Sequence, residues 1–209
     1  MSDTMCWALR KGVPNVLELY DAPEPGKSLT DLRRDLDSLS ASDRLLVMIN
    51  SACGSFERGL GLYRILDDCR AWTRILIQFA AGGAAVAAMS RAWPDRFICP
   101  DGSFWVHAPN VDCIGNPATL VEGLADLTYD ICTIYAINID NGGDLELWRT
   151  RMEEGHYWAG EDAVKRGVAR AISTLAEQQR PWQAWVAAPQ AHSIKQQLAP
   201  ATSRKIERR

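Results

Sequence analysis

An α/β fold with a largely parallel sheet is what this 209-residue sequence predicts. Arg44–Asn50 and Arg74–Phe79 are short apolar runs of the kind found in strands buried on both faces. They alternate, at short intervals, with segments whose apolar residues recur every three or four positions. The composition, 47% hydrophobic and 23% charged, is that of one ordinary globular domain with room for a real core and possibly a tail.

The elements follow in order. Val16–Tyr20 alternates like a strand, and Pro23, Pro25 and Gly26 break it. Ser28 opens a helix carrying Leu29, Leu32, Leu36 and Leu39 on one face. The strand Arg44–Asn50 ends in the turn Ser51–Ser55, and a helix follows over roughly 56–70 with Leu60, Tyr63, Ile65 and Leu66 inward. The strand Arg74–Phe79 leads through Gly82 and Gly83 to a helix of small residues, Ala84–Trp93, and Phe104–His107 closes the core sheet. From Pro117 to about Ile139 the pattern is one long helix, with Leu120, Leu124, Leu127, Ile131 and Tyr135 on one face. Two further helices are expected over Asp144–Glu154 and Gly160–Arg166. Beyond Leu175 the periodicity fades. The chain divides into an N-terminal segment (1–12), one domain (13–177) and a C-terminal extension (178–209) with no internal repeat. The extension carries Pro181, Pro189 and Pro200, two tryptophan anchors, Trp182 and Trp185, and a basic, disordered end.

Several classes of function are disfavoured. A net charge of −3 gives no general case for nucleic-acid binding. No apolar run approaches the ~20 residues of a membrane span, and the N-terminal stretch lacks a signal-peptide core, so a cytoplasmic location is expected. Cys6, Cys53, Cys69, Cys99, Cys113 and Cys132 are scattered without metal-ligand spacing, so they are expected as reduced thiols, with neither metal nor cofactor.

The functional expectation comes from four segments in order. Ile49-Asn-Ser-Ala-Cys-Gly-Ser55 precedes Gly59-Leu-Gly-Leu-Tyr63; Gly82-Gly-Ala-Ala-Val86 opens a helix; Arg96-Phe-Ile-Cys-Pro100 leads to Trp105-Val-His-Ala-Pro109; and Tyr157–Val164 precedes Gly167. This series resembles the ClpP-like serine peptidases of the ClpP/crotonase superfold. The opening, Leu17–Asp21 followed by a Ser-led helix, is most similar to the phage head-maturation branch. The resemblance covers about residues 13–172 and implies β-β-α-type units, a largely parallel core sheet and a helical handle at 117–139.

A serine peptidase needs a hydroxyl nucleophile, a base, an orienting acid and oxyanion donors. On the resemblance, the nucleophile falls on Val86, the base on His107 and the acid on Gly155, so only the base is retained. The oxyanion donors would be the backbone N–H groups of Gly54 and Ala87. Ser90 and Cys53 are the alternative nucleophiles, and an ordinary core histidine is the bland alternative for His107. Asp126 and Asp130 are expected as solvated charges, and His156 as a surface residue.

The expected function is therefore a ClpP-like protein that has lost peptidase activity and serves as a structural or regulatory subunit of an oligomeric assembly, ring-like or phage-related. The resemblance implies self-association, or association with an active ClpP-like subunit, a Clp-type ATPase or phage capsid proteins, with no nucleic acid and no membrane. A phage-derived assembly would place it in the virion. Trp72, Trp93, Trp148 and Trp158 are candidates for interfaces or for the core. The alternatives are an endopeptidase using Ser90 or Cys53 and a crotonase-like acyl-thioester enzyme or binder.

Overall fold

Seven strands join in a single sheet in the computed structural model, which describes residues 4–22, 28–52, 54–91, 95–109, 117–140 and 143–180. The sheet opens with a hairpin of β1 (Thr4–Arg10) and β2 (Asn15–Ala22), antiparallel in register Thr4↔Ala22 to Arg10↔Val16. β3 (Arg44–Ser51), β4 (Trp72–Ala81) and β5 (Arg96–Val106) then add in parallel. β6 (His156–Ala159) closes the row antiparallel to β5, and the short β7 (Ala171–Ile172) pairs with the start of β5.

Helices occupy the crossovers, as parallel pairing requires. α1 (Leu29–Asp37) joins β2 to β3, α2 (Phe56–Asp68) joins β3 to β4, and α3 (Gly82–Ala88) joins β4 to β5. Ser28 and Ser55 cap α1 and α2, each hydroxyl accepting from the backbone N–H three residues on. α4 (Pro117–Ile139) and α5 (Leu145–Glu154) form an antiparallel pair before β6, and α5 ends at Gly155 in the left-handed conformation. α6 (Gly160–Lys165) and α7 (Leu175–Gln178, closed by a Thr174/Glu177 capping box) complete the described chain.

The main core lies between one face of the sheet and the helices. Leu17, Leu45, Val47, Ile75, Ile77 and Phe104 meet Leu32, Leu62, Leu66, Val86, Ile131 and Trp148, all fully or nearly fully buried. Arg96 enters this core whole. Its guanidinium donates to the carbonyls of Arg91 (3.0 Å), Asn138 (2.6 Å) and Gly167 (3.0 Å), tying the ends of α3, α4 and α6 to the first residue of β5. A separate cluster, Val16, Leu46, Met48, Leu76, Phe97 and Cys99, lies on the opposite face.

The parallel α/β reading holds, with differences in detail. Residues 4–10, for which no element was predicted, are a strand. β4 continues to Ala81 and α3 begins at Gly82, two residues before the helix read from the sequence, and ends at Ala88. β5 spans 11 residues rather than four, with its pairing to β4 broken between Ile98 and Ser103. β6, β7 and α7 had no sequence signal. Trp148 and Trp158 are core residues and not surface ones: both are buried, and Trp148 donates from Nε1 to Asp140 at 2.7 Å. Trp72 is half-buried beneath the Arg44 guanidinium, and Trp93 lies outside the described residues. Among the described residues no helix is long and apolar enough to cross a membrane.

Candidate functional site

β5 ends at Val106, and His107 follows on the way out of the sheet, half-buried. Its ring is held between the edge of Phe56, centroids 5.5 Å apart, and Trp105, 4.8 Å. Nδ1 lies 2.9 Å from the Ala108 carbonyl oxygen. A carbonyl can only accept, so Nδ1 carries the hydrogen, and in the neutral ring Nε2 is left as the acceptor.

Nε2 faces the corner where β4 turns into α3. A β-carbon built on Gly82 would stand 3.6 Å from His107 Nε2 and 3.4 Å from the Gly54 carbonyl oxygen. Gly82 has φ +52, a left-handed conformation at a sharp strand-to-helix turn. The turn is clamped from below by glycines. A β-carbon on Gly59 would fall 2.4 Å from Gly83 Cα, and one on Gly83 2.4 Å from the Ser55 carbonyl oxygen, so α2 and α3 cross with their backbones in contact. Gly83 N–H donates to the Gly54 carbonyl oxygen at 3.2 Å.

The preceding turn is fixed by Asp21 at the end of β2. Its carboxylate accepts from the Ser51 hydroxyl and, at 2.7 Å, from Ala52 N–H. The strand partner of β5 supplies the remaining side. The pairing Trp105↔Tyr157 and Val106↔His156 ends one residue short of both His107 and Gly155. Gly155 has φ +73, and a β-carbon there would meet Trp105 Nε1 at 3.6 Å. His107 and Gly82 thus face one another, Gly155 lies against the Trp105 indole, and Trp105 and Tyr157 are exposed cross-strand neighbours.

The site assignments read from the sequence need correction on this geometry. Val86 does not face His107: it lies one helical turn into α3, about 6 Å along the axis from Gly82, and is wholly buried in the main core. The residue opposite the imidazole is Gly82. Ala87 is likewise inside the helix, where its N–H belongs to the i→i−4 ladder, so it is no oxyanion donor. Ser90 follows the far end of α3, about 12 Å along the axis from Gly82, so His107 cannot activate it. Its buried hydroxyl makes no hydrogen bond. Gly54 does stand at the site, with φ +97, and its carbonyl is committed to Gly83. Cys53 lies outside the described residues. Asp126 and Asp130 are exposed on α4, away from β5. His156 pairs with Glu154 at 2.9 Å.

The signal that locates Gly82 is present in the sequence but duplicated. Ala80-Ala81 and Ala84-Ala85 both precede a candidate fifth position, and only the point where the strand stops distinguishes them.

No protein-family model matches the sequence, and no curated protein matches it. Among solved structures the chain is similar to a mutant ClpP1 from Listeria monocytogenes, with a TM-score of 0.63 and 15% identity over 73% of this chain and 87% of that one. The chain therefore has a ClpP-like fold, mixed α/β with its seven-stranded sheet.

Proposed function

We propose that this chain is a ClpP-fold protein without serine-peptidase chemistry, which serves as a structural or regulatory subunit of an oligomeric assembly. One observation carries the first half: the position opposite His107 Nε2 is a glycine. In the resemblance to ClpP-like peptidases, Gly82 then takes the place of the serine, since Ala80-Ala81 precede it as two small residues precede that serine. Gly155 takes the place of the acid. A glycine offers neither an oxygen to attack a carbonyl nor a carboxylate to stabilise an imidazolium, so two of three catalytic roles have no side chain to perform them. The Gly83 N–H, next after the nucleophile position and so the natural oxyanion donor, is already engaged by the Gly54 carbonyl. That disfavours the crotonase-like alternative too, because such a site relies on free backbone donors. Ser90, remote from His107, supplies no substitute nucleophile.

The second half rests on α4. Residues 121–130 are mostly exposed, and two large apolar side chains among them, Val121 at 67% and Tyr129 at 61%, would gain cover from a partner. The same face of another copy, or of an active ClpP-like subunit, would cover it. A Clp-type ATPase or phage capsid proteins are the further partners that such an assembly would engage.

A fluorophosphonate probe tests the chemistry. The purified protein is expected to remain unlabelled and to hydrolyse no peptide. Stoichiometric labelling mapped to any serine would overturn the reading, and labelling of Cys53 by an iodoacetamide probe together with peptide turnover would replace it with a thiol peptidase.

A further inference from the structure

We propose that the corner between β4 and α3 binds a small molecule through a neutral primary carboxamide, held by His107 and the Gly54 carbonyl. One point of this corner faces two acceptors. The β-carbon position of Gly82 lies 3.4 Å from the Gly54 carbonyl oxygen and 3.6 Å from His107 Nε2. The ring hydrogen of His107 sits on Nδ1, which donates to the Ala108 carbonyl oxygen at 2.9 Å, so Nε2 accepts. Among the described residues no donor is bonded to Nε2. The Gly54 oxygen receives the Gly83 N–H at 3.2 Å and keeps a second lone pair. Gly82 brings no side chain of its own to this point.

The class of ligand follows by elimination. Two acceptors about one point call for two hydrogens on one atom. A carboxylate has none and would meet lone pairs. The single hydrogen of an alcohol satisfies one acceptor only. An ammonium has hydrogens enough, but among the described residues no carboxylate pairs with His107, and an unmatched cation in a half-buried corner is costly to desolvate. A primary carboxamide brings two coplanar N–H donors and no charge. The walls suit its plane. Trp105 lies 4.8 Å from the His107 ring and stays 40% exposed, and Phe56 closes the other side at 5.5 Å. The corner is also held in place beforehand: Gly59 packs on the backbone of Gly83, and the Asp21 carboxylate accepts from Ala52 N–H at 2.7 Å. The inference uses the facing of His107 and Gly82 but neither the assembly role nor any peptidase assay, so it and the proposed function can fail separately.

Benzamide is the probe, with benzoate, benzyl alcohol and benzylammonium as matched controls, in nitrogen NMR of the histidine-labelled full-length chain. Benzamide should shift the His107 Nε2 resonance saturably, and each control should bind about tenfold more weakly or worse. Gly82→Ala places a methyl group between the two acceptors. His107→Phe keeps a ring between Phe56 and Trp105 and removes Nε2. Each should lower benzamide affinity about tenfold or more in ligand-observed NMR, with a cooperative thermal transition showing that the variant is folded. Should Gly82→Ala fail to fold, His107→Phe decides alone. The absence of a saturable His107 shift with benzamide, an equal response to any control, or undiminished binding by folded His107→Phe overturns the proposal.

Discussion

Gly82 is the residue that stands opposite the imidazole of His107, and a β-carbon there is sterically admissible. The nearest atoms would be at 3.4 and 3.6 Å, ordinary van der Waals distances, so a serine side chain fits and its hydroxyl comes within hydrogen-bond reach of His107 Nε2. The obstacle is backbone conformation: at φ +52 a residue with a β-carbon costs ~1–2 kcal/mol. Gly82→Ser is thus expected to fold with that loss of stability in urea titration, and to regain at most a trace of probe labelling. His107 keeps a fixed tautomer through Ala108, and among the described residues no carboxylate pairs with it. Adding Gly155→Asp, at a left-handed position that aspartate tolerates better than most residues, should raise labelling by a large factor, since loss of triad function typically costs ~10⁴-fold. Val86→Ser, by contrast, puts a hydroxyl into the apolar core out of reach of the imidazole, and should only destabilise. Equal labelling of Val86→Ser and Gly82→Ser would contradict the geometry.

Arg96 shows the same scale at work on stability. Burial pushes its pKa down to about 9, which still leaves it charged at neutral pH, and its charge is met by main-chain carbonyls alone among the hydrogen bonds to oxygen described for it. Arg96→Met removes donors from three carbonyls on three separate segments. Charge-assisted hydrogen bonds of this kind are worth ~1.5–3 kcal/mol each, with strong non-additivity. A net loss of about 3 kcal/mol or more is expected in chemical denaturation, and a loss under about 1 kcal/mol would show that the guanidinium is replaceable packing.

At the scale of elements, the α2–α3 crossing fixes the corner that carries Gly82. Gly59 and Gly83 let the backbones touch, and neither can take a methyl group without moving main chain. Gly59→Ala should therefore cost about 2–3 kcal/mol despite the higher helix propensity of alanine, measurable as a lowered thermal midpoint. The elements with strong period and clear caps, α1, β3 and the α4–α5 pair, were legible in the sequence because apolar spacing and Ser28 or Asp144 mark them. α3 was not. Its N-cap, Ala81, makes no side-chain hydrogen bond, and every residue from Gly82 to Ala88 is small or buried, so neither amphipathic pattern nor capping residue marks its start. With Ala80-Ala81 and Ala84-Ala85 four residues apart, the sequence points as readily to Val86, one turn beyond Gly82, the residue that faces His107. β6 and β7 are too short, at four and two residues, for alternation to register. His107 was found because a lone histidine ending an apolar run is a local signal. Its partner across β6 rests on pairing between residues some fifty apart, which here only the ClpP-like resemblance located.

For the molecule as a whole, α4 is divided between core and surface. Ile131, Tyr135 and Ala136 on its second half are buried against the domain, with Tyr135 packed on Trp148 and Phe104, whereas the stretch 121–130 is mostly exposed. Those two halves predict separable effects of mutation. Tyr135→Ala opens the core and should cost ~3–5 kcal/mol of monomer stability. Val121→Asp with Tyr129→Asp places charges on side chains that are mostly exposed, so unfolding of the isolated subunit should be unchanged within about 0.5 kcal/mol. The same pair of charges should prevent association. An interface built on α4 would bury on the order of 1,000 Å² or more, and an unpaired carboxylate at its centre is costly to desolvate. Sedimentation of the wild type at micromolar concentration should give several times the mass of one chain, and the double variant that of a single chain. A wild type that sediments as a monomer, and stays so when mixed with a homologous ClpP-like subunit, would remove the assembly role and leave the exposure of Val121 and Tyr129 to be explained by a different partner.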